Sequence, residues 1–170
     1  MNNDNYKNFL NDLGLAKTVE RYVANLFEEV GFKFLSFCND KRYDIMMQSP
    51  TGGIKKIEVK YDRMSATNNI IFEYMSWGKP SGISTSKSDY FVYVYPCLNE
   101  IWIIKTKKLK KVIEFYNPTY SQELQYCWNT VFAGDDKSSR CYLWKRVVFK
   151  KIIGDDLKIL IRKDIPINEQ

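Results

Sequence analysis

The spacing of hydrophobic residues divides the N-terminal part of the chain into a helical region followed by strands. From Thr18 onward, apolar residues recur at steps of three or four, as on the buried stripe of an amphipathic helix. These positions are Val19, Val23, Leu26 and Val30. Gly31 follows and predicts the end of this helix. A separate short helix is predicted over residues 4–13, with Gly14 as its end.

After Gly31 the pattern changes to short apolar runs bounded by turn residues, which is typical of strands. The predicted strands span residues 33–38, 43–49, 54–61, 70–75, 90–95, 101–105, 141–149 and 157–161. A basic helix is predicted over 105–116, a short helix or turn within 76–88, and loops over 117–139. This mixture of strands and helices predicts a single α/β domain over residues 1–170.

Composition and charge narrow the class of protein. Of 170 residues, 45% are hydrophobic and 27% are charged, which fits an ordinary folded domain. The sequence has no apolar run long enough for a membrane span and begins with a polar, acidic segment unlike a signal peptide, so a cytoplasmic protein is expected. The net charge of +6 makes nucleic acid a plausible partner.

Cysteine and histidine usage limits the available chemistry. Histidine is absent, and the four cysteines, at 38, 97, 127 and 141, form no CxxC pair. This argues against zinc and excludes any mechanism with a histidine base. Buried free thiols are expected, because nothing indicates a secreted chain. Catalysis would have to rely on carboxylates, lysine, hydroxyls and hard metal ions.

One stretch, residues 43–62, gathers candidate catalytic side chains. Asp44 lies near the start of one predicted strand, Glu58 and Lys60 lie in the next, and the Pro-Thr-Gly-Gly turn at 50–53 predicts a hairpin. Side chains alternate along a strand, so Glu58 and Lys60 share a face, and the hairpin brings Asp44 beside Glu58. Neighbouring carboxylates repel each other, and a divalent cation relieves that repulsion.

The ion that suits such a site is Mg²⁺, which favours carboxylate oxygens, a carbonyl such as that of Val59, and retained waters. Lys60 is positioned to orient or deprotonate a water, or to stabilise developing charge. The same spacing also occurs by chance in charged strands. Glu20 lies in the first turn of the helix that starts at Thr18, and by itself it fits a carboxylate that stabilises the helix dipole.

In combination, these residues and the order of elements resemble the PD-(D/E)XK nuclease superfamily. The signature stands as Arg42-Tyr43-Asp44 and Ile57-Glu58-Val59-Lys60, with Tyr43 in place of the family's proline and Glu20 on the preceding helix. A strand glutamate, Glu73, followed by a Gly/Ser loop is similar to Holliday-junction-resolvase-like and phage-borne members. The resemblance covers about residues 16–106, and the C-terminal extension, 107–170, resembles nothing specific.

The resemblance implies a restriction-endonuclease-like core, with a central mixed β-sheet flanked by α-helices. It implies that Asp44 and Glu58 bind Mg²⁺ or Mn²⁺ with the backbone carbonyl of Val59. It further implies that Lys60 is the catalytic lysine and that Glu20 is an auxiliary carboxylate.

Two interpretations of Glu73 remain: it completes the metal environment through water, or it pairs with Lys79 or Lys87. The loop that follows, 76–89, is rich in hydroxyls, glycine and lysine, which are groups that bind DNA phosphates. The residues predicted to contact DNA are Lys79, Ser81, Gly82, Ser84, Thr85, Ser86 and Lys87. A solvated Gly-Ser loop is the alternative.

Two other features have alternative interpretations. The basic run from Lys105 to Lys111 either flanks a duplex or forms a solvated helix face, and the second is preferred. Trp77 and Trp128 either stack on bases or pack in the core, and core packing is preferred.

The predicted function is a metal-dependent DNA endonuclease, structure-selective or weakly sequence-specific, as in junction resolvases. A resolvase would act as a homodimer, since two strands are cut symmetrically. It would act in the bacterial cytoplasm, or in the host cytoplasm if phage-encoded. The alternatives are an exonuclease or nicking enzyme of the same fold, and a non-catalytic nucleic-acid-binding module.

Overall fold

The computed structural model describes residues 3–38, 42–63, 65–116, 128–133 and 138–166. Side chains are described in these ranges except at residues 3–13, 65 and 128–130. Within these residues the helices are α1 (Asn3–Glu28), α2 (Thr106–Phe115) and α3 (Arg146–Ile153). The strands are β1 (Lys33–Phe37), β2 (Ile45–Gln48), β3 (Ile54–Tyr61), β4 (Asn69–Ser76), β5 (Lys79–Pro80), β6 (Tyr90–Tyr95), β7 (Glu100–Lys105), β8 (Trp128–Ala133), β9 (Ser139–Lys145) and β10 (Leu157–Ile161).

Six strands form a mixed sheet in the order β1-β2-β3-β6-β7-β10. β3 and β6 are parallel, whereas the other neighbouring pairs are antiparallel. A tight turn cannot join parallel strands, and the chain between β3 and β6 therefore leaves this sheet to form β4 and β5. The predicted α/β fold, with a mixed central sheet flanked by helices, is confirmed.

One face of the six-stranded sheet is covered by α1. Its apolar stripe, which includes Val19, Val23 and Phe27, packs on alternate strand residues such as Val92 and Val94 of β6. Although α1 has 26 residues, no helix in the described part of the chain is both long and apolar enough to cross a membrane.

The opposite face is covered by α2, α3 and a second sheet with the strand order β5-β4-β9-β8. Tyr93 and Tyr95 of β6 point to this side and belong to one aromatic core with Phe72 of β4, Trp102 of β7 and Phe149 of α3. The sequence did not predict this second sheet, because its central pair, β4 and β9, joins segments that are far apart in the chain.

The predicted hairpin between β2 and β3 is confirmed, with Ile45 paired to Ile57. In its turn, Gly52 has a φ of +88°, a conformation that favours glycine. The Gly52 N–H donates to the Ser49 carbonyl at 2.8 Å. This turn sets the register that positions the residues on either side of it.

The two helices predicted near the N-terminus are one helix. α1 continues through Gly14, because a single glycine lowers helix stability by about 1 kcal/mol without removing a backbone hydrogen bond. The Thr18 hydroxyl also donates to the Gly14 carbonyl at 3.0 Å. The predicted end is confirmed, since α1 stops at Glu28 and Gly31 follows with a φ of +87°.

The strand predicted over 141–149 is wrong, because this segment is divided between β9 and α3. Arg146, Phe149 and Ile153 are buried at helical spacing, and the Arg146 N–H donates to the carbonyl of Asn68 at 3.0 Å. The predicted loop region 117–139 contains β8, which pairs with β9. Residues 117–127 and 134–137 lie outside the described residues.

Candidate functional site

Asp44 lies in a bend directly before β2, where the hairpin register places it opposite Glu58. Its N–H donates to the Ile57 carbonyl at 2.9 Å and continues the strand pairing by one residue. Its side chain turns toward β3, where Oδ2 accepts a hydrogen bond from the Val59 N–H at 2.7 Å. The predicted juxtaposition of Asp44 with β3 is therefore present, and one carboxylate oxygen is fixed by the backbone.

Glu58 and Lys60 share one face of β3 and form an ion pair. Their Oε1 and Nζ atoms are 2.6 Å apart. They lie opposite Phe91 and Tyr93 of β6, whose rings face the second sheet. Glu58 is only 5% exposed, whereas the side chain of Lys60 is 42% exposed. The carboxylate is thus buried, whereas the Lys60 side chain as a whole is partly exposed.

Glu20 approaches the same group from α1. It is nearly buried and receives a hydrogen bond from Lys17 Nζ at 2.8 Å. Burial raises the pKa of Glu20, the Lys17 hydrogen bond opposes this, and the negative charge of Asp44 raises it further. Because α1 begins at Asn3, Glu20 lies well inside the helix and not in its first turn, so the alternative role of stabilising the helix dipole is wrong. Glu20 instead adds a negative charge to the electrostatic surroundings of Asp44 and Glu58.

Burial and mutual repulsion disfavour the ionised forms of Glu58 and Glu20. Burial raises the pKa of Glu58, Lys60 lowers it, and the charges of Asp44 and Glu20 raise it again, so that it lies above its usual range. Burial lowers the pKa of Lys60, but attraction to Glu58, Asp44 and Glu73 more than offsets this. The net result is that Lys60 is held in its charged form while the acidic groups repel one another.

Whether a divalent cation can bind beside Asp44 and Glu58 depends on how many oxygen ligands lie close together there. Among the described residues, no three acidic, cysteine or histidine side chains form a ready-made ligand set. Mg²⁺ usually keeps several waters and binds through only one or two carboxylates, and Asp44 and Glu58 meet that smaller requirement. Each uses one oxygen in a described bond, Asp44 Oδ2 with Val59 N–H and Glu58 Oε1 with Lys60.

Glu73 has protein partners other than the predicted Lys79 and Lys87, and a role through water stays a prediction. It lies on β4 of the second sheet and accepts hydrogen bonds from the hydroxyls of Ser81 and Ser139, the latter at 2.7 Å. Serine hydroxyls, rather than Lys79 or Lys87, are the partners that the structure gives this carboxylate. Both hydroxyls come from segments whose folding against β4 the sequence did not reveal.

A cavity of about 260 Å³ lies between the two sheets beside Lys60. Its lining includes Lys60, Asp62, Glu73 and Cys141, and its volume is several times that of one water. Burial, and then the charge of Glu73, raises the pKa of Cys141 to about 11, so its thiol stays protonated near neutral pH. Cys141 is buried as predicted, whereas Cys97 is exposed.

Asp62 is a site residue that the sequence analysis missed. It follows Lys60 by two positions, and strand alternation could have identified it on the same side of the chain. Its N–H donates to the Val94 carbonyl at 3.0 Å, which extends the β3–β6 pairing beyond Tyr61. The backbone thus places another carboxylate at the cavity wall.

Much of the loop predicted to bind DNA has an internal role. Ser86 is 4% exposed, and its hydroxyl bonds to the Arg42 carbonyl and to the hydroxyl of Ser88, so the prediction of a DNA contact for Ser86 does not fit its burial. Gly82 has a φ of +50°, and a Cβ there would lie 2.3 Å from the Glu73 carbonyl oxygen. Gly82 is therefore required for close packing on β4.

The remaining loop residues differ in their access to solvent. Ser84, Lys79 and Lys87 are exposed, while Thr85 is half-buried with its hydroxyl 3.5 Å from the Gly82 carbonyl oxygen. Ser81, described above with Glu73, is half-buried as well. The lysines are the members of the predicted DNA-binding set whose charge is presented most openly.

The basic helix is partly engaged within the protein. Lys110 donates to the Ser86 carbonyl at 2.7 Å, and Lys108 lies 3.3 Å from an Asp156 oxygen. Lys107 and Lys111 are exposed. α2 therefore supports the loop through one lysine and presents others to solvent.

Comparison of the chain with protein families, curated proteins and solved structures found no match. The function is therefore inferred from the side chains alone. They form a buried carboxylate on the central sheet, a partly exposed lysine paired with it, and a neighbouring cavity large enough for several waters.

Proposed function

We propose that the chain is a metal-dependent DNA endonuclease of the PD-(D/E)XK type, similar to junction resolvases in structure selectivity or weak sequence specificity. The observation that carries this proposal is the Asp44–Glu58–Lys60 arrangement. Two carboxylates are held on adjacent strands, one of them nearly buried, with an ammonium group 2.6 Å from Glu58. A cluster that destabilises its own charged groups is more typical of a functional site than of a structural one.

Mg²⁺ or Mn²⁺ would supply Lewis acidity toward the phosphoryl oxygen and a more acidic bound water. Asp44 and Glu58 are the residues that would hold it, through the oxygens not used by Val59 N–H and Lys60. The Val59 carbonyl remains the proposed third ligand. Glu20 would contribute by its negative charge, and any role of Glu73 would be exerted through water.

Lys60 is proposed to stabilise charge that develops on the phosphate during hydrolysis. Its ion pair with Glu58 holds the ammonium protonated, and its side chain is partly exposed at the edge of the cavity. A preorganised cation of this kind can contribute several kcal/mol to transition-state stabilisation. The cavity beside Lys60 provides room for water close to the scissile bond.

DNA binding is supported by charge and exposure. The chain carries a net charge of +6, and Lys79 and Lys87 project from the loop that packs on Glu73. Exposed lysines would contact phosphates, giving affinity without base specificity. Resolution of a four-way junction would further require a homodimer.

The proposal is tested by incubating the protein with a panel of nucleic acids in Mg²⁺, Mn²⁺ or EDTA. The panel contains linear duplex, single strand, flap, four-way junction, closed circular DNA and RNA. Cleavage of DNA with metal, its loss in EDTA, and inactivity of Asp44→Asn are expected. Cutting of closed circles distinguishes an endonuclease from an exonuclease. Binding without cleavage under every metal condition would contradict the proposal in favour of a non-catalytic binding module.

A further inference from the structure

We infer that Trp77 is a base-stacking residue that selects DNA with an unpaired or unstacked base, such as a single strand, flap or junction. This inference rests on the proposed DNA-directed function and specifies the substrate class for it. The side chain of Trp77 is 74% exposed, contrary to the core packing that the sequence favoured. An indole left in water at such a position contributes nothing to the hydrophobic core.

The backbone at Trp77 is also unfavourable. Trp77 and Gly78 form the two-residue turn of the β4–β5 hairpin, where Ser76 pairs with Lys79. Their φ angles are +50° and +72°, the pattern of a type I′ turn, which prefers Asn-Gly. A bulky residue with positive φ is a genuine outlier, and such strain is concentrated at functional positions. Trp77 thus combines high exposure with a positive φ, and neither feature stabilises the fold.

The tip of this hairpin is nevertheless held in place. The Trp77 N–H donates to the Ser138 carbonyl at 3.0 Å, which ties the turn to the start of β9. β4 and β9 are paired from Asn69 to Ser76, with one irregularity between Glu73 and Met75. The indole is therefore presented on a supported backbone, which limits the conformational entropy lost on binding.

The surroundings of the indole match the chemistry of a nucleic acid. Exposed Lys79 follows Trp77 by two residues as the first residue of β5, and exposed Arg140 of β9 pairs with Met75 of β4. The Arg140 guanidinium lies 5.5 Å from the ring centre of Phe132, another exposed aromatic side chain. Aromatic faces interleaved with cations bind bases by stacking and phosphates by charge. This composition favours DNA over an apolar protein partner.

The position of Trp77 relative to the acidic cluster is compatible with one bound DNA. Glu73, which lines the same cavity as Lys60, lies on β4 four residues before Trp77, which directly follows the end of that strand. At about 3.3 Å per strand residue the separation is roughly 13 Å, or about four nucleotides of a stacked strand. In a paired duplex the base faces are covered by their neighbours. A stacking contact at this distance therefore favours DNA in which a base near the cleavage point is free.

The experiment measures binding of wild type, Trp77→Ala and Trp77→Asn in Ca²⁺, which suppresses cutting. The probes are a continuous duplex and the same duplex with a four-nucleotide gap carrying 2-aminopurine. Trp77→Ala should weaken binding to gapped DNA by about 5- to 100-fold, the range expected for one stacked base. It should weaken duplex binding much less, and 2-aminopurine quenching should decrease. Phe115→Ala is the matched control, since Phe115 is 75% exposed on α2.

Trp77→Asn separates binding from folding. Asparagine tolerates positive φ and suits this turn, so its melting temperature should equal or exceed that of wild type while gapped-DNA binding falls as in Trp77→Ala. Equal losses on both DNAs, or no loss, would overturn the inference while leaving the proposed function intact. Failure of wild type to bind any DNA would overturn the proposed function and this inference together.

Discussion

Glu58 and Glu73 lie on different sheets, and the negative charge of each raises the pKa of Lys60. The groups that surround the two carboxylates are nevertheless different. Glu58 is nearly buried, pairs with one ammonium group, and experiences the negative charges of Asp44 and Glu20. Glu73 receives two hydroxyl hydrogen bonds from segments that pack against β4.

Glu73 thus connects parts of the structure by hydrogen bonds, whereas the negative charges around Glu58 disfavour its ionised form. The hydroxyls of Ser81 and Ser139 each donate to one Glu73 oxygen and connect the loop and β9 to β4, so the described bonds of Glu73 are structural. The group around Glu58 is stabilised further only if an additional positive charge arrives. We therefore expect the two carboxylates to respond differently to every test of chemistry and metal binding.

The largest expected effect is on cleavage. Asp44→Asn should lower the rate by about a thousandfold or more, because losing a metal ligand removes several kcal/mol of transition-state stabilisation. Glu73→Gln should remain close to wild type, since its described bonds are structural. Single-turnover rates on the best DNA of the panel measure both. A loss in Glu73→Gln as deep as in Asp44→Asn would remove the distinction between the two carboxylates.

Lys60→Ala should separate turnover from affinity. If Lys60 stabilises developing charge, the rate should fall by about 10²- to 10⁴-fold, with the Kd for DNA in Ca²⁺ almost unchanged. Lys55→Ala is the matched control, because Lys55 lies on the same strand but contacts Asp89 at 3.7 Å. Parallel losses in rate and affinity for Lys60→Ala would recast it as a phosphate-binding residue.

Metal binding should be visible as thermal stabilisation without DNA. Mn²⁺ at about 100 times its Kd contributes about 2.7 kcal/mol, which corresponds to a rise in Tm of about 5–10 °C for a chain of this size. Wild type and Glu73→Gln should show this shift, and Asp44→Asn should lose it. Scanning calorimetry with and without Mn²⁺ makes the measurement. A shift retained in Asp44→Asn would place the ion elsewhere.

The smallest expected effect is on stability without metal. Asp44→Asn keeps an acceptor for the Val59 N–H. It removes a charge that repels both Glu58 and Glu20, and this gain is expected to exceed the lost attraction to Lys60. It should raise Tm at pH 7 by about 2–4 °C, equivalent to about 1 kcal/mol. Asp89→Asn is the control, since Asp89 Oδ2 also caps a backbone N–H, that of Lys56 at 2.8 Å. No gain is expected there, because Asp89 lies beside Lys55.

The pH dependence follows from the raised pKa values of Glu58 and Glu20. Because the folded state holds these protons more tightly than the unfolded state, stability decreases as pH rises from their ordinary value of 4.5 through the raised folded values. The advantage of Asp44→Asn should therefore be present at neutral pH and disappear in acid. An advantage that persisted below pH 4 would show that repulsion is not its cause.

The elements of the central sheet were largely predictable, because turns and apolar runs act locally. β3 and β6 were predicted with the observed bounds, and the hairpin register followed from the turn at 50–53. The contacts of Glu73, by contrast, depend on β9 and on a loop that folds back over β4. Such long-range pairing leaves no periodic signal in the sequence.

Two similar strand–helix units show where local patterns fail. β7–α2 and β9–α3 each pass from strand to helix at a lysine with φ near −65° to −69°, yet only the first helix was predicted. α2 has lysines at its exposed positions, whereas α3 has Val147 exposed between buried residues. Consecutive β-branched residues after an apolar strand predict that the strand continues. In the structure, burial against the rest of the protein stabilises a helix there instead.

The hydroxyl chain Ser86–Ser88–Thr106 has a consequence for the dynamics of the site. Its links of 2.9 Å, together with the Ser86 hydroxyl and Lys87 N–H bonds to the Arg42 carbonyl, join the loop to α2 and to the segment entering Asp44. In hydrogen exchange, the Lys87 amide should therefore be protected like an amide of the core, although its side chain is exposed. Loop, α2 and the Asp44 segment should open as one cooperative unit.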